Sequence, residues 1–302
     1  MKKFILETSI VIILICVSGF FLYQLDAPSQ LANRINTIDS KLEMINLGSS
    51  HGNNFDYSNC VLNGERINKE GNTLYYDLQN YIYLNKKKYL SKNAIVIIPV
   101  SYYVFGLDEN RTDRSPDDSF VNDYYHYLPE EQIFSYSEKK KSSLMIFTIQ
   151  KNFYNLIESV NIIKKKKSTN LSLKEHANSR VINHKRLAGY SSKQKNIDYL
   201  ESLIKEIYKN KHLPILVTTP YHSSYNNNFG KKWLDENYFN FIKYLKERYN
   251  LSYFDYSHDV RFCFNDNYFY NSDHLNNKGK SVFSSIIFDD IEEVLLSQKI
   301  IQ

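Results

Sequence analysis

The chain has 302 residues, 42% of them hydrophobic and 15% aromatic, enough to bury one substantial core with a small appendage. Its net charge of +5 comes mostly from short lysine runs (86–88, 139–141, 164–167) with no recognition motif or stacking platform beside them, which argues for a solvated surface and against nucleic-acid binding. Three cysteines, one of them Cys16 in the N-terminal apolar run, are too few for a disulfide framework or a zinc site of standard spacing; Cys60 and Cys263 can pair only if the fold brings them together.

Residues 4–25 carry one charge, Glu7, and are long enough to cross a hydrocarbon core. Lys2 and Lys3 precede them, so the positive-inside rule puts the N-terminus in the cytoplasm and the remainder outside. A cleaved signal peptide is the rival reading; the length of the run and Pro28 directly after Ala27 favour a retained single-pass anchor. Residues 26–42 read as a stalk turning helical, with Leu31, Ile35, Ile38 and Leu42 at helical spacing, and residues 43–302 as the folded domain.

Within that domain the pattern alternates. LEMINLG reads as a strand, and NTLYYDLQNYIYL as an amphipathic helix with Leu74, Leu78 and Ile82 on one face. AIVIIPV at 94–100 reads as a strand buried on both sides. A mostly helical insertion at about 107–195 interrupts this rhythm. It runs from a turn-rich polar segment through an apolar stretch to KKKK, a pattern suited to packing on the sheet or to touching an anionic lipid surface. The alternation then resumes with a helix through Ile197, Leu200, Leu203, Ile204 and Ile207, the strand PILVTTP, and a helix through Tyr238, Ile242, Leu245 and Tyr249. The strand LSYFDY and a long final helix from about Lys278 complete it. Strands joined by helices of this length require crossover connections, hence an α/β three-layer sandwich around a parallel sheet.

In an open parallel sheet, ligands bind where strands end and helices begin. INLGSSHG at 45–52 places Gly48-Ser49-Ser50-His51 after the first strand, and YFYNSDHLNNKGK places His274 in a loop before the last helix. A serine and a histidine so placed can meet on one rim of the sheet, the pairing that a serine nucleophile needs to shed its proton. His51 is a candidate pocket residue or a structural cap. Tyr221 and His222, in TTPYHSSYN after a buried strand, lie on the same rim as candidate substrate contacts. The tyrosine-rich stretches YYVF and DYYHYLP suit either sugar stacking or packing.

NLGSSHG together with YNSDHLNNKG resembles the first and last sequence blocks of the SGNH/GDSL hydrolase superfamily. The similarity is to its membrane-anchored, extracytoplasmic branch, which includes the D-alanine transfer protein of teichoic-acid modification and polysaccharide O-acetyltransferases. The resemblance implies a flavodoxin-like sheet, Ser50 as nucleophile and His274 as general base. It also implies an esterase or O-acyltransferase acting on acyl esters of cell-surface polysaccharide, with a glycan substrate and a membrane-bound acyl donor protein as partners. By the same match Gly71 is the second oxyanion donor, with Asn72 beside it. The asparagine block after the third strand is missing, leaving Ser101 or Asn72 as substitutes. The family's acid falls on Asn271, so either Asn271 orients the imidazole in a slow dyad, or Asp273 or Asp266 supplies the missing carboxylate. A protein of this fold that has lost catalysis and binds glycan within an envelope complex is the alternative. No feature indicates a metal or nucleotide cofactor.

Overall fold

A computed structural model describes residues 17–18, 30–107, 124, 127–129, 172–188 and 193–301. The expected membrane-spanning run 4–25 lies outside them apart from two residues, and among the described residues no helix is long and apolar enough to cross a membrane. Contacts divide the chain into two compact units, residues 1–33 with 110–169 and residues 34–109 with 170–302. In the first, Leu31, Ala32, Tyr124, Tyr127 and Leu128 are buried.

The second unit holds a five-stranded sheet: β1 (Leu42–Asn46), β2 (Gly64–Arg66), β3 (Leu90–Pro99), β4 (Leu213–Thr218) and β5 (Ser252–Asp255), in the order β2-β1-β3-β4-β5. Every pairing is parallel, with Ile45 opposite Val96 and Val96 opposite Pro214. This is the flavodoxin-like order, and its direction of winding reverses between β1 and β3. At that reversal the connections leave to opposite faces, so the carboxyl ends of these two strands border an open crevice.

The apolar runs explain the layers. Because side chains alternate along a strand, Ile95, Ile97, Ile215 and Val217 face one side, where Phe283, Ile287 and Ile291 of the C-terminal helix pack with Met44, Phe55 and Phe262. On the opposite side α2 (Leu74–Lys86) and α4 (Lys193–Lys209) pack against each other, α4 burying Ile197, Leu200, Leu203, Ile204 and Ile207. A helix α5 (Asn240–Tyr249) leads into β5, and α6 (Asn277–Ile301) is the C-terminal helix. Leu42 opens β1 and is not part of the preceding helix α1 (Gln30–Asn36), which ends before the polar stretch leading to that strand.

Three elements escaped the periodicity reading. The edge strand β2 has three residues. Helix α3 (Leu173–Ala188), lying within the expected insertion, belongs by its contacts to the sheet-bearing unit and buries Ala177, Val181, His184 and Ala188. His274 is not in a plain loop: β6 (Phe269–Asn271) and β7 (His274–Leu275) form an antiparallel hairpin that pairs Asn271 with His274. Cys60 and Cys263 are free thiols, the first half-buried and the second buried.

Candidate active site

The end of β1 is shaped by Gly48. Its φ of +101° is a conformation that side chains resist, and a Cβ there would meet the Pro99 ring, at the end of β3, at 3.1–3.2 Å. Its N–H donates to Asp77 Oδ1 (2.8 Å) and its carbonyl accepts from Lys69 N–H (3.1 Å), so the turn is pinned on both sides. Ser49 and Ser50 follow, and Ser50 starts a short 3-10 helix (Ser50–Asn54) whose N-terminus receives no cap from the Ser49 side chain. Amides at such an end point outward and suit a developing negative charge.

At the other end of the domain the β6–β7 hairpin presents His274. Its Nε2 lies 2.8 Å from Ser50 Oγ and its Nδ1 lies 3.0 Å from Asn271 Oδ1. The Asn271 amide has a defined orientation, because the same oxygen also accepts the Asp273 backbone N–H (3.2 Å). With Oδ1 an acceptor, the proton of a neutral His274 sits on Nδ1, which leaves Nε2 free to receive the Ser50 proton.

Asp273, in the two-residue turn of the hairpin, is fully buried. One carboxylate oxygen lies 3.4 Å from His274 Nδ1, while Arg180 of α3 grips the carboxylate through Nε (3.2 and 3.3 Å) and Nη2 (2.9 Å). Burial alone would push this carboxyl up, but His274 and Arg180 outweigh it and hold it well below the usual carboxylate range. Asp266 does not reach His274. It accepts from His222 Nε2 at 3.0 Å, because the 3-10 turn at 266–268 carries it toward the loop after β4.

His51 stacks on His274 with ring centroids 4.8 Å apart and planes inclined by 17°. Its Nε2 donates to the Asp273 carbonyl at 3.0 Å. Burial, and then the neighbouring His274, keep it well below the ordinary imidazole range, so it acts as a neutral wall. Tyr221 meets His51 edge-on (5.3 Å) and is itself fully buried. His222 also accepts from Ser224 N–H, and its own N–H donates to the Ser272 carbonyl, which ties the β4 loop to the hairpin. Ser101, two residues past the end of β3, is buried, and among the described residues its hydroxyl has no hydrogen-bond partner.

Gly71, with φ +72°, lies in the turn that bonds to Gly48 through Lys69. Asn72 donates its side-chain amide to Asp77 Oδ1 at 2.5 Å, the oxygen that also holds the Gly48 N–H. It thereby supports the turn at Gly48. Asp77 is buried, and burial pushes its carboxyl up to about 7 against the pull of the Gly48 and Asn72 hydrogen bonds.

The sequence reading passed over Arg180, Asp77 and His184, and met Tyr103 only as part of YYVF. Tyr103 stacks on His184 (3.9 Å), which bonds Tyr225 Oη at 2.6 Å, and burial pushes His184 down to about 3. The YYVF tyrosines thus pack in the interior, Tyr102 against Tyr221 and Tyr225 and Tyr103 against His184; of DYYHYLP, residues 124 and 127–129 are described, and Tyr124 and Tyr127 are buried as well. The signal for α3 was present in Ala177, Val181, His184 and Ala188 at helical spacing.

Among the described residues, His51, Asp273 and His274 bring nitrogen and oxygen atoms within 4.8 Å of one another, the spacing of a metal-binding group. Their facing atoms are already engaged by Asp273 carbonyl, Arg180 and Ser50, and we read the trio as a hydrogen-bonded network.

No protein-family model matches the sequence, and no curated protein matches it. Several solved structures are similar. A protein described as an acylhydrolase from Bacteroides fragilis NCTC 9343 is 12% identical, with a TM-score of 0.43 over 88% of this chain and 96% of its own. A GDSL-like lipase from Bacteroides thetaiotaomicron VPI-5482 is 10% identical, with a TM-score of 0.41 over 88% and 98%. A protein described as a platelet activating factor from Streptococcus pneumonia is 7% identical, with a TM-score of 0.42 over 94% and 97%. These likenesses carry no argument of their own, and the functional reading rests on the geometry above.

Proposed function

We propose that this chain is a serine esterase or O-acyltransferase of the SGNH/GDSL type. The supporting observation is the 2.8 Å contact between Ser50 Oγ and His274 Nε2 at the point where the winding of the sheet reverses, with Nδ1 held by Asn271. Ser50 Oγ attacks the acyl carbonyl, and His274 Nε2 takes the hydroxyl proton. The tetrahedral oxyanion is met by backbone amides at the start of the 3-10 helix. His274 then protonates the leaving alkoxide, and water or a sugar hydroxyl takes the acyl group from Ser50. Transfer and hydrolysis differ only in that acceptor.

The setting of this chemistry follows from the apolar run 4–25 preceded by two lysines, which supports an N-terminal anchor with the catalytic unit outside the cytoplasm. An enzyme held there faces envelope glycans and membrane-bound acyl donors, and acyl esters of cell-surface polysaccharide are the substrates we assign to it. The decisive experiment is fluorophosphonate labelling and acetyl-ester hydrolysis by the wild type and by Ser50→Ala. A Ser50-dependent adduct and turnover are expected. A folded wild type with neither would favour the second reading, a glycan-binding partner in an envelope complex, for which the amide of Asn271 in place of a carboxylate is the motivating observation.

A further inference from the structure

The triad acid of a serine hydrolase does two things at once. It accepts the Nδ1–H of the histidine, which selects tautomer and orientation, and its charge stabilises the imidazolium that forms when the nucleophile loses its proton. In this chain the group accepting that hydrogen bond is the neutral Asn271. The amide can orient, but it contributes no charge.

A carboxylate is nevertheless present. Asp273 Oδ1 lies 3.4 Å from His274 Nδ1, off the hydrogen-bond axis that Asn271 occupies but close enough for charge to act. Burial pushes such a carboxylate toward its protonated form. His274 and then Arg180 oppose this, Arg180 through three contacts of 2.9–3.3 Å from α3, its own side chain remaining 30% exposed.

We propose, resting on the ester-chemistry reading above, that the triad acid is divided here: Asn271 orients His274, and Asp273, held ionised and aimed by Arg180, supplies the charge that stabilises the imidazolium. Arg180 is thus a positioning residue, and α3 a part of the catalytic apparatus. The remaining titratable groups facing Asp273 and His274 are His51 from the 3-10 helix, His176 and His184 from α3, Tyr103 after β3, and Tyr221 and Tyr225 after β4. Burial lowers all three histidines and raises all three tyrosines, so each is neutral near pH 7. Arg180 and Asp273 are therefore the fixed charges beside the reacting imidazole.

The two residues carry opposite charges, so removing them should move the pH profile in opposite directions. Asp273→Asn keeps the shape of the turn, removes the anion and leaves Arg180 unpaired beside His274. The acid limb of kcat/KM should move to lower pH by about one unit, with kcat down roughly tenfold or more and KM little changed. Arg180→Met leaves the anion without its partner, and the acid limb should move to higher pH, with activity at pH 6 suppressed more than at pH 8.5. Arg180→Lys should restore part of the wild-type profile. Thermal melting accompanies each variant, and where Arg180→Met does not fold, the Arg180→Lys and Asp273→Asn profiles carry the test. Opposite displacements in folded variants support the division. Unchanged profiles, or losses of kcat with both limbs in place, overturn it and reduce the pair to a structural tie. A wild type without Ser50-dependent turnover would sink the ester reading itself and this inference with it.

Discussion

Replacing Asn271 by Ala tests what orients the His274 imidazole. The Asn271 oxygen accepts two hydrogen bonds, from His274 Nδ1 at 3.0 Å and from the Asp273 backbone N–H at 3.2 Å. Losing the first removes the preference for the Nδ1–H tautomer; a bond of this kind contributes about 0.5–1.5 kcal/mol net, and leaving its buried donor unsatisfied costs about 1–3 kcal/mol. If about 1.4–2.7 kcal/mol of that falls on the competent state of His274, kcat drops by about 10–100-fold, since 1.36 kcal/mol is tenfold in rate. The second bond shapes the turn, so its loss should lower stability by about 1 kcal/mol. Acetyl-ester turnover and the rate of fluorophosphonate labelling report the first effect, and thermal melting the second. Asn271→Ala with kcat within twofold of wild type would show that Asn271 does not hold the imidazole in solution, and the argument built on the hairpin register would fail.

The turn at Gly48 makes two further predictions. Gly48→Ala forces a Cβ into a φ of +101° and against Pro99 at 3.1–3.2 Å; we expect about 1–2 kcal/mol of destabilisation in denaturant melts and slower labelling of Ser50. Asp77 is raised by burial to about 7, above the ordinary carboxyl value it has in the unfolded chain. The folded protein therefore keeps a proton that the unfolded chain loses as pH rises. This contribution to stability is complete below the unfolded value and is lost as pH climbs toward about 7. Asp77→Asn, whose amide oxygen still accepts the Gly48 N–H, should flatten the stability profile over that window. An identical slope in the variant and the wild type would refute the assignment.

Local patterning was enough to read the α/β alternation. AIVIIPV and the PILV of PILVTTP are continuous apolar runs because β3 and β4 are covered on both faces, and the faces of α4 and α6 repeat at helical spacing. Ser50 and His274 were legible for a related reason. Topology places the end of the first strand and the segment before the last helix on one rim, so two short motifs at opposite ends of the chain could be paired before any coordinates.

What surrounds that pair was decided by packing. A three-residue strand and a two-residue strand are too short to show a period, so β2 and the β6–β7 hairpin were silent, and with them the register that sets Asn271 against His274. Asp273 and His274 are neighbours in sequence, and the tight turn at 272–273 is what swings the carboxylate back to within 3.4 Å of Nδ1. Arg180 is 93 residues from Asp273, and such a contact leaves no trace in local spacing. Composition and periodicity record what each segment does with its own neighbours and with water. The charge beside His274 depends on which distant surfaces close upon one another, and that is settled only when the whole sheet is wound.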